Sequence, residues 1–379
     1  PLPLKTAAAA LTPLALLWLA LASSPLYAQS ATEPARLPRG NLLVYRDSAG
    51  ATAPVRTPAD WQQRRAEIVR GMETVMGAFP GATSPKRIPL DVRIEEEIDR
   101  DTYVIRRITY QSEPGSRTPA FLCIPKAALA AATSQGRTFP GVLCLHPTDQ
   151  TAGAGVVVGL GGKPNRQYAG ELAARGYVAI APGYPHLAGY APDLLGLGYA
   201  SGTMKAVWDN TRALDVLESL TFVKKTNGFG AIGHSLGGHN GLYTAVFEPR
   251  LTVVVTSCGF DSYLDYYAGN PAVWKHGKGW CQDRYMPRLA DYAGRLADIP
   301  FDFAEILGAL APRPVFVNAP LRDANFSWQS VARQIAAAQP IYALYGAKSA
   351  LTVAHPESEH DFPDAQRETA YALLDSVLQ

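Results

Sequence analysis

The chain has 379 residues, and 35 Lys plus Arg against 33 Asp plus Glu give it a formal net charge of +2. That length accommodates one large catalytic domain or two modest ones, and the hydrophobic share of 47% is that of a globular protein. The small charge and the lack of basic runs with interleaved aromatic residues exclude a nucleic-acid-binding protein.

Residues 1–28 have the pattern of a secretory signal peptide. Lys5 precedes an apolar run from Ala7 to Ala22, and Ser23-Ser24-Pro25 and then Leu26-Tyr27-Ala28 follow. A positive start, an apolar core and a small-residue cleavage site define such a signal. The apolar run is short for a bilayer span of ~17–25 residues. We therefore expect cleavage after Ala28, a mature protein without a membrane anchor, and a periplasmic or secreted location.

Residues 29–100 are expected to form an N-terminal extension with one helix. Residues 58–78 carry apolar positions at helical spacing and define that helix. Alternating apolar residues then indicate strands at 101–112 and 119–125. These two strands predict an antiparallel start to a sheet.

From residue 139 onward, apolar strand-like runs alternate with longer amphipathic runs. This rhythm predicts an α/β fold with a mostly parallel central sheet and helices on both faces, in a catalytic domain that covers residues 101–379. The expected strands are 140–146, 177–182, 228–233, 251–257, 313–318 and 341–346. The expected helices are 166–175, 202–220, 236–247, 328–338 and 364–378.

Residues 259–312 depart from this rhythm and are rich in Tyr, Trp, Gly, Pro and Asp. They form an insertion before the strand expected at 313–318. Two interpretations stay open for this insertion: a lid or wall of a substrate site, or a packed surface excursion.

Four cysteines lie beyond the signal. Cys123 and Cys144 fall in strand-like apolar runs and are expected to be buried and reduced. Cys258 and Cys281 are a candidate disulfide pair, since an exported protein permits one. None of the four has the C-x-x-C spacing of a metal or redox site.

The central motif is Gly233-His234-Ser235-Leu236-Gly237, which follows a short apolar strand and opens a helix-like segment. A nucleophilic serine needs a tight, strained strand-to-helix turn. Glycine two positions on either side removes side chains that would collide with neighbouring elements. Ser235 is therefore the candidate nucleophile. The overlapping glycines of residues 228–233 match a dinucleotide-binding fingerprint, but they begin a strand instead of opening a helix, so nucleotide binding is rejected.

Asp323 and His360 are expected to complete a catalytic triad with Ser235. A serine hydroxyl needs a base, and the base needs an orienting carboxylate. After this kind of turn the acid precedes the histidine along the chain. Asp323 lies on the loop that leaves a predicted strand, and His360 stands just before the last helix. The alternative base is His355, and the alternative acid is Asp261.

The oxyanion of the reaction needs two N–H donors. Leu236 supplies the first, because it directly follows the nucleophile at a helix N-terminus. Thr148 is the first choice for the second donor and Asp149 the next, since Pro147 has no N–H. His146 precedes them and is expected to brace their loop.

A metal site built from His355, Glu357, Glu359 and His360 is a further alternative. Their spacing fits no standard metal motif, and the serine explains the histidine without a metal. The sequence therefore predicts no metal and no organic cofactor.

These residues resemble α/β-hydrolases of the dienelactone hydrolase and acetyl xylan esterase type. The resemblance rests on Gly233–Gly238, His146-Pro147-Thr148, Asp323 and Glu359-His360-Asp361-Phe362, and it covers roughly residues 100–379. It implies an α/β-hydrolase fold and a carboxylic ester hydrolase that works through an acyl-enzyme. Dienelactone hydrolases use cysteine as nucleophile, so the serine here favours ordinary ester substrates over lactones.

The expected substrate is a small-molecule or carbohydrate ester. Two other functions stay open. One is a serine peptidase or amidase of the prolyl oligopeptidase type, and the other is a non-catalytic binding protein on a hydrolase scaffold. The sequence does not set the oligomeric state.

Overall fold

The computed structural model describes residues 36–81, 83–134 and 136–379. The expected signal peptide, residues 1–28, lies outside the described residues. Residues 36–379 form one compact unit. Within the described ranges, no helix is both long enough and apolar enough to span a bilayer.

The secondary structure alternates between strands and helices through most of the chain. In chain order the elements are β1 (Val44–Arg46), β2 (Thr52–Pro54), α1 (Pro58–Met76), β3 (Arg93–Asp99), β4 (Tyr103–Glu113), β5 (Ser116–Pro125), α2 (Lys126–Ser134), β6 (Phe139–Leu145), α3 (Tyr168–Ala174), β7 (Val178–Pro182), α4 (Gly202–Ser219), β8 (Val223–Lys224), β9 (Phe229–His234), α5 (Leu236–Phe247), β10 (Leu251–Ser257), α6 (Phe303–Leu310), β11 (Val315–Asn318), α7 (Trp328–Leu344), β12 (Leu351–Ala354) and α8 (Asp364–Leu378).

One large sheet runs through the described residues in the order β12-β11-β10-β9-β6-β7-β5-β4-β3, with β8 beside β6. The strands from β12 to β7 in this order are parallel. The last three are antiparallel, because β5 pairs with β7, β4 with β5 and β3 with β4. The predicted antiparallel start and parallel continuation are therefore both confirmed.

Helices cover both faces of this sheet, as expected. On one face, α3 and α8 contribute buried residues such as Tyr168 and Leu374. The other face packs against α1, α4, α5, α6 and α7, with Trp61 and Trp208 fully buried. Parallel strands that are buried on both sides have continuous apolar sequences. For this reason the alternation of apolar and amphipathic segments predicted the fold. The architecture is the expected α/β-hydrolase fold.

The sheet begins before residue 101. β3 was not expected from the sequence, and it pairs with β4 through Ile98 and Ile105. The domain boundary expected at residue 100 therefore falls between two paired strands. Farther upstream, Arg39 donates to the carboxylate of Asp302 at 2.7 Å, which ties the start of the described chain to the N-terminus of α6.

The strand expected at 341–346 is wrong, because these residues complete and follow α7. The apolar residues Ile335, Ala338, Ile341 and Tyr342 recur at helical spacing and are buried, so packing continues the helix past Pro340. The strand in question is β12, ten residues later, and it pairs in parallel with β11. His360 therefore still follows the last strand of the sheet.

The insertion at 259–312 contains short 3₁₀ helices and ends in α6. α6 begins with a capping box in which Asp302 and Glu305 satisfy each other's backbone N–H groups. The candidate pair Cys258 and Cys281 is not joined, and all four cysteines are free and buried.

Candidate active site

Ser235 sits on a strained turn between β9 and α5. Its backbone has φ 55° and ψ −121°, a conformation that non-glycine residues rarely adopt. The neighbouring strand fixes the turn, because the Ser235 N–H donates to the Ser257 carbonyl at 2.8 Å. Strain of this kind marks functional positions when the surrounding structure enforces it.

The two flanking glycines are required by close backbone contacts. A Cβ on Gly233 would lie 2.2 Å from the carbonyl carbon of Gly237, within the turn itself. A Cβ on Gly237 would lie 1.9 Å from the carbonyl oxygen of Leu145, where α5 crosses the end of β6. The predicted reason for the Gly-x-Ser-x-Gly spacing thus holds at both positions.

Asp323 and His360 form a directly bonded pair. His360 Nδ1 lies 2.9 Å from Oδ2 and 3.0 Å from Oδ1 of Asp323, so Nδ1–H donates to the carboxylate. The Asp323 side chain is fully buried and also accepts the N–H groups of Asn325 and Phe326. These bonds fix the carboxylate and the tautomer of the ring, which leaves Nε2 of His360 with a lone pair.

Ser235 and His360 line the same cavity, of about 900 Å³. Among the described residues no hydrogen bond joins the Ser235 hydroxyl to His360. In unliganded sites such bonds are often long and shorten when substrate binds. Most of the other lining side chains are polar: Thr148, Asp149, Lys163, Asn165, Arg166, Asn325, Ser358, Glu359 and Asp361.

Three other histidines near Ser235 are held neutral by burial. Burial lowers the pKa of His146 to about 4, that of His239 to about 3, and that of His234 well below its usual range. His146 also braces its loop, as expected, because it bonds the Pro147 carbonyl at 2.7 Å and accepts the Tyr184 N–H. His360 is therefore the histidine placed to act as a base.

The alternative base and acid from the sequence have other contacts. His355 bonds the Ala319 carbonyl through Nδ1 at 2.8 Å and packs against Trp328. Asp261 accepts the Ser327 N–H, and burial raises the pKa of its carboxyl to about 8. A carboxyl that is neutral near pH 7 cannot stabilise an imidazolium by its charge, so Asp323 is the better acid.

The two expected oxyanion donors, the N–H groups of Leu236 and Thr148, have different surroundings in the structure. Leu236 is the first residue of α5, so its N–H has no partner within the helix. Thr148 lines the cavity, and its hydroxyl lies 3.0 Å from that of Tyr285. The carboxylate of Asp149 instead accepts N–H groups of the next turn, including that of Thr151 at 2.9 Å.

Residues of the insertion at 259–312 pack against side chains close to this site, although none of them lines the cavity. Trp280 stacks on His239 with 3.9 Å between ring centroids, and it lies parallel to Phe326 at 6.3 Å. Phe326 in turn contacts the His360 ring at 5.9 Å. Together with the contact between Tyr285 and Thr148, these contacts join the insertion to residues that flank Ser235 and His360.

Arg166 anchors the loop that carries His360, and it was not among the site residues expected from the sequence. Its guanidinium pairs with the Asp361 carboxylate and donates to the His360 carbonyl at 2.9 Å. Asn165 adds a 2.9 Å bond to the same carboxylate, and Asn318 holds the Asp361 carbonyl at 2.9 Å. The carbonyls of His360 and Asp361 are thus held by side chains from the loop before α3 and from the end of β11.

Replacing Arg166 by alanine should lower kcat by about 10²-fold, the cost of a displacement of roughly 1 Å in a catalytic group. Arg367 offers a matched control: it is equally buried, and it donates to the Phe362 carbonyl two residues beyond His360. Arg367→Ala should reduce thermal stability comparably but kcat much less. Equal kcat losses in the two variants would contradict a specific role for Arg166.

A family model described as "Glucuronyl esterase, fungi" matches residues 189–346, less than half of the chain. No curated protein matches the chain in sequence. Among solved structures, a glucuronoyl esterase from Solibacter usitatus has a TM-score of 0.69 at 16% identity, with 90% of this chain and 97% of that chain covered.

Two further structures are also similar. A glucuronoyl esterase of carbohydrate esterase family 15 from Teredinibacter turnerae has a TM-score of 0.62 at 16% identity, with 93% of each chain covered. A candidate acetyl xylan esterase from Bacteroides fragilis has a TM-score of 0.54 at 17% identity, with 79% of this chain and 76% of that chain covered.

At these identities the likeness establishes the fold, which is that of the α/β-hydrolases. The expected resemblance to esterases of this fold is confirmed, since the family model and these three structures are all described as esterases. The acetyl xylan esterase type named from the sequence is among them, beside glucuronoyl esterases that the sequence analysis did not name.

Proposed function

We propose that this protein is a serine esterase that hydrolyses carboxylic esters of carbohydrates through an acyl-enzyme. The observation that carries the proposal is the arrangement of three residues. Ser235 sits on a strained turn, and it faces the same cavity as a histidine whose Nδ1 is held by the buried Asp323. That arrangement provides a nucleophile, a base in the useful tautomer and an orienting charge.

In the first half-reaction, His360 Nε2 accepts the proton of the Ser235 hydroxyl while the oxygen attacks the ester carbonyl. Asp323 stabilises the resulting imidazolium through the Nδ1–H bond. His360 then gives its proton to the leaving alcohol, and Ser235 keeps the acyl group. In the second half-reaction a water molecule replaces the alcohol, and the same proton transfers release the acid.

The N–H groups of Leu236 and Thr148 are proposed to bind the oxyanion of each tetrahedral intermediate. Leu236 supports this role because it opens α5, where the helix dipole adds a partial positive charge. Losing one such donor typically costs about 10²–10³-fold in kcat. Both groups belong to the backbone, so the role is independent of the leucine and threonine side chains.

Among carbohydrate esters, we propose esters of a uronic acid as the substrate class. The matching family model and two of the similar structures are described as glucuronoyl esterases. The polar lining of the cavity also suits a substrate with several hydroxyl groups. In such an ester the sugar belongs to the acyl part, so the sugar stays on Ser235 after the alcohol leaves. In an acetyl ester the sugar leaves instead.

A substrate panel tests this choice. Benzyl glucuronate, 4-nitrophenyl acetate, acetylated xylan and a peptide anilide are compared by kcat/KM for the wild type and Ser235→Ala. We expect the glucuronate ester to be the best substrate and the anilide the poorest. Preference for acetylated xylan would leave the esterase assignment intact but overturn the uronic acid. Faster turnover of the anilide would favour the peptidase or amidase.

We also propose that the enzyme works outside the cytoplasm, in the periplasm or the medium. The support is the signal-peptide pattern of residues 1–28. Polymeric carbohydrate esters are found outside the cell, which agrees with the proposed substrate class. Detection of the mature enzyme in the exported fraction, with Gln29 as its first residue, is the expected result.

A further inference from the structure

Three side chains with different metal-binding atoms, one of them His360, lie close together at this edge of the sheet. The Cys258 sulfur, a carboxylate oxygen of Asp323 and a ring nitrogen of His360 all lie within 4.8 Å of one another. A four-coordinate zinc ion holds S, N and O ligands at about 2.0–2.3 Å, so neighbouring ligand atoms are roughly 3.3–3.8 Å apart. The three donors therefore approach the spacing of a tetrahedral site.

Cys258 is placed there by the end of β10. Its backbone has φ 48°, which turns the chain directly after the strand. Its thiol donates to the Asp361 carbonyl at 3.3 Å, on the same loop as His360. The loops after β10, β11 and β12 thus bring one donor each to the same point.

We propose that Cys258, Asp323 and His360 form an inhibitory site for a thiophilic divalent cation of the zinc type. Zinc accepts thiolate, imidazole and carboxylate ligands together, and a water molecule completes the fourth position. His360 and Asp323 are already in contact at 2.9 Å, so the cation would replace the proton between them once the ring has moved outward.

The bound cation inhibits the enzyme because it changes which ring nitrogen of His360 carries a proton. In the active enzyme Nδ1 of His360 carries the proton and Nε2 carries the lone pair. A cation on Nδ1 takes the lone pair of that nitrogen, so the ring proton moves to Nε2. The Cys258 thiol releases its proton to solvent as the thiolate binds. Nε2–H cannot accept the proton of Ser235, and acylation stops without any redox step.

The cation reaches this site slowly. The His360 side chain is 23% exposed toward the cavity, whereas that of Asp323 is fully buried and Cys258 is 3% exposed. The ring has to swing outward to admit an ion behind it. Inhibition should therefore develop with time and reverse when a chelator is added.

Binding and inhibition are tested separately, because only the inhibition rests on the proposed esterase function. Co²⁺ is added to the wild type and to Ser235→Ala, Cys258→Ser and Cys281→Ser. Cys281 is the matched control, since its thiol is also buried but lies in the insertion. We expect thiolate-to-cobalt charge-transfer absorption in all of these except Cys258→Ser.

Zn²⁺ is then titrated into the esterase assay. We expect time-dependent inhibition of the wild type and Cys281→Ser. In Cys258→Ser the half-inhibitory concentration should rise by more than the ~10–100-fold that loss of an outer-sphere partner costs. The serine hydroxyl can still donate to the Asp361 carbonyl, so basal activity should persist.

Absence of the cobalt absorption from the wild type, its persistence in Cys258→Ser, or equal zinc inhibition of both would overturn the site. If no ester is turned over, the cobalt measurement still decides whether the cation binds. If Cys258→Ser does not fold, His360→Ala keeps the thiol but removes a ligand, and it should bind Co²⁺ at least about tenfold more weakly. Unchanged affinity in that variant would also overturn the site.

Discussion

Ester hydrolysis should fall by roughly 10⁴- to 10⁶-fold in kcat when Ser235 is replaced by alanine. The variant keeps the hydrogen bond of the residue 235 N–H to Ser257 and the close packing of Gly233 and Gly237, so its fold should be intact. Initial rates on the best ester of the panel measure the loss, and circular dichroism and thermal unfolding check the fold.

A fluorophosphonate probe supplies an independent readout of the same position. It should label the wild type at Ser235 and leave Ser235→Ala unlabelled. Ser376→Ala, on the exposed face of α8, is the control for a serine outside the site. Hydrolysis by Ser235→Ala at the wild-type rate would show that another residue carries the chemistry. No labelling of a folded wild type would favour the binding protein.

Asp323→Asn should lower kcat by about 10⁴-fold, although the side chain keeps its shape. The oxygen of the introduced amide can still accept the N–H groups of Asn325 and Phe326. The amide nitrogen would, however, donate to Nδ1 of His360, which favours the tautomer with the proton on Nε2. That tautomer cannot accept the proton of Ser235. Steady-state kinetics on the same ester measure the effect.

Asp261→Asn is the matched control, since Asp261 is the alternative acid on the neighbouring strand end. Its carboxyl is buried, and its pKa of about 8 keeps it mostly protonated at pH 6–7. An asparagine imitates that neutral form and can still accept the Ser327 N–H. We expect kcat close to the wild-type value. A larger loss in Asp261→Asn than in Asp323→Asn would reassign the acid.

The turn that carries Ser235, the candidate nucleophile, could be predicted from sequence because its requirements are local. A strained turn between an apolar strand and a helix requires a pattern of only five residues. The helix expected at 236–247 has the same bounds in the structure. The pairing of Asp323 with His360 could be predicted from the order of the strands, because loops after parallel strands meet at one edge of a sheet.

Arg166 could not be found in the same way. Its partner Asp361 is 195 residues away in the chain. The sequence around an arginine that links two loops does not differ from the sequence around a solvent-exposed arginine. The choice between Asp261 and Asp323 was also not local. Both follow apolar strands and both side chains are buried. They differ in their partners, because Asp323 bonds His360 whereas Asp261 accepts the Ser327 N–H.

The fold was least predictable where an apolar run suits both a helix and a strand. Residues 341–346 alternate poorly and contain Ile, Tyr and Leu, which resembles a strand, and Pro340 suggested a break. In the structure these residues continue α7, and the helix is favoured because it buries Ile341 and Tyr342 in the core. β3 was missed for the opposite reason, because its Arg, Glu and Asp residues hide the alternation of a strand.

Those same charges matter for how molecules meet in solution. Among the residues that the structure describes, β3 is the last strand on its side of the sheet, and such an edge can pair with a strand of another molecule. Glu95, Glu96 and Glu97 stand there in succession and are exposed. Arg106 and Arg107 of β4 pair with these carboxylates, so three negative charges face two positive ones. A second copy aligned against this border would add its own excess of negative charge, and that repulsion opposes growth of the sheet into aggregates.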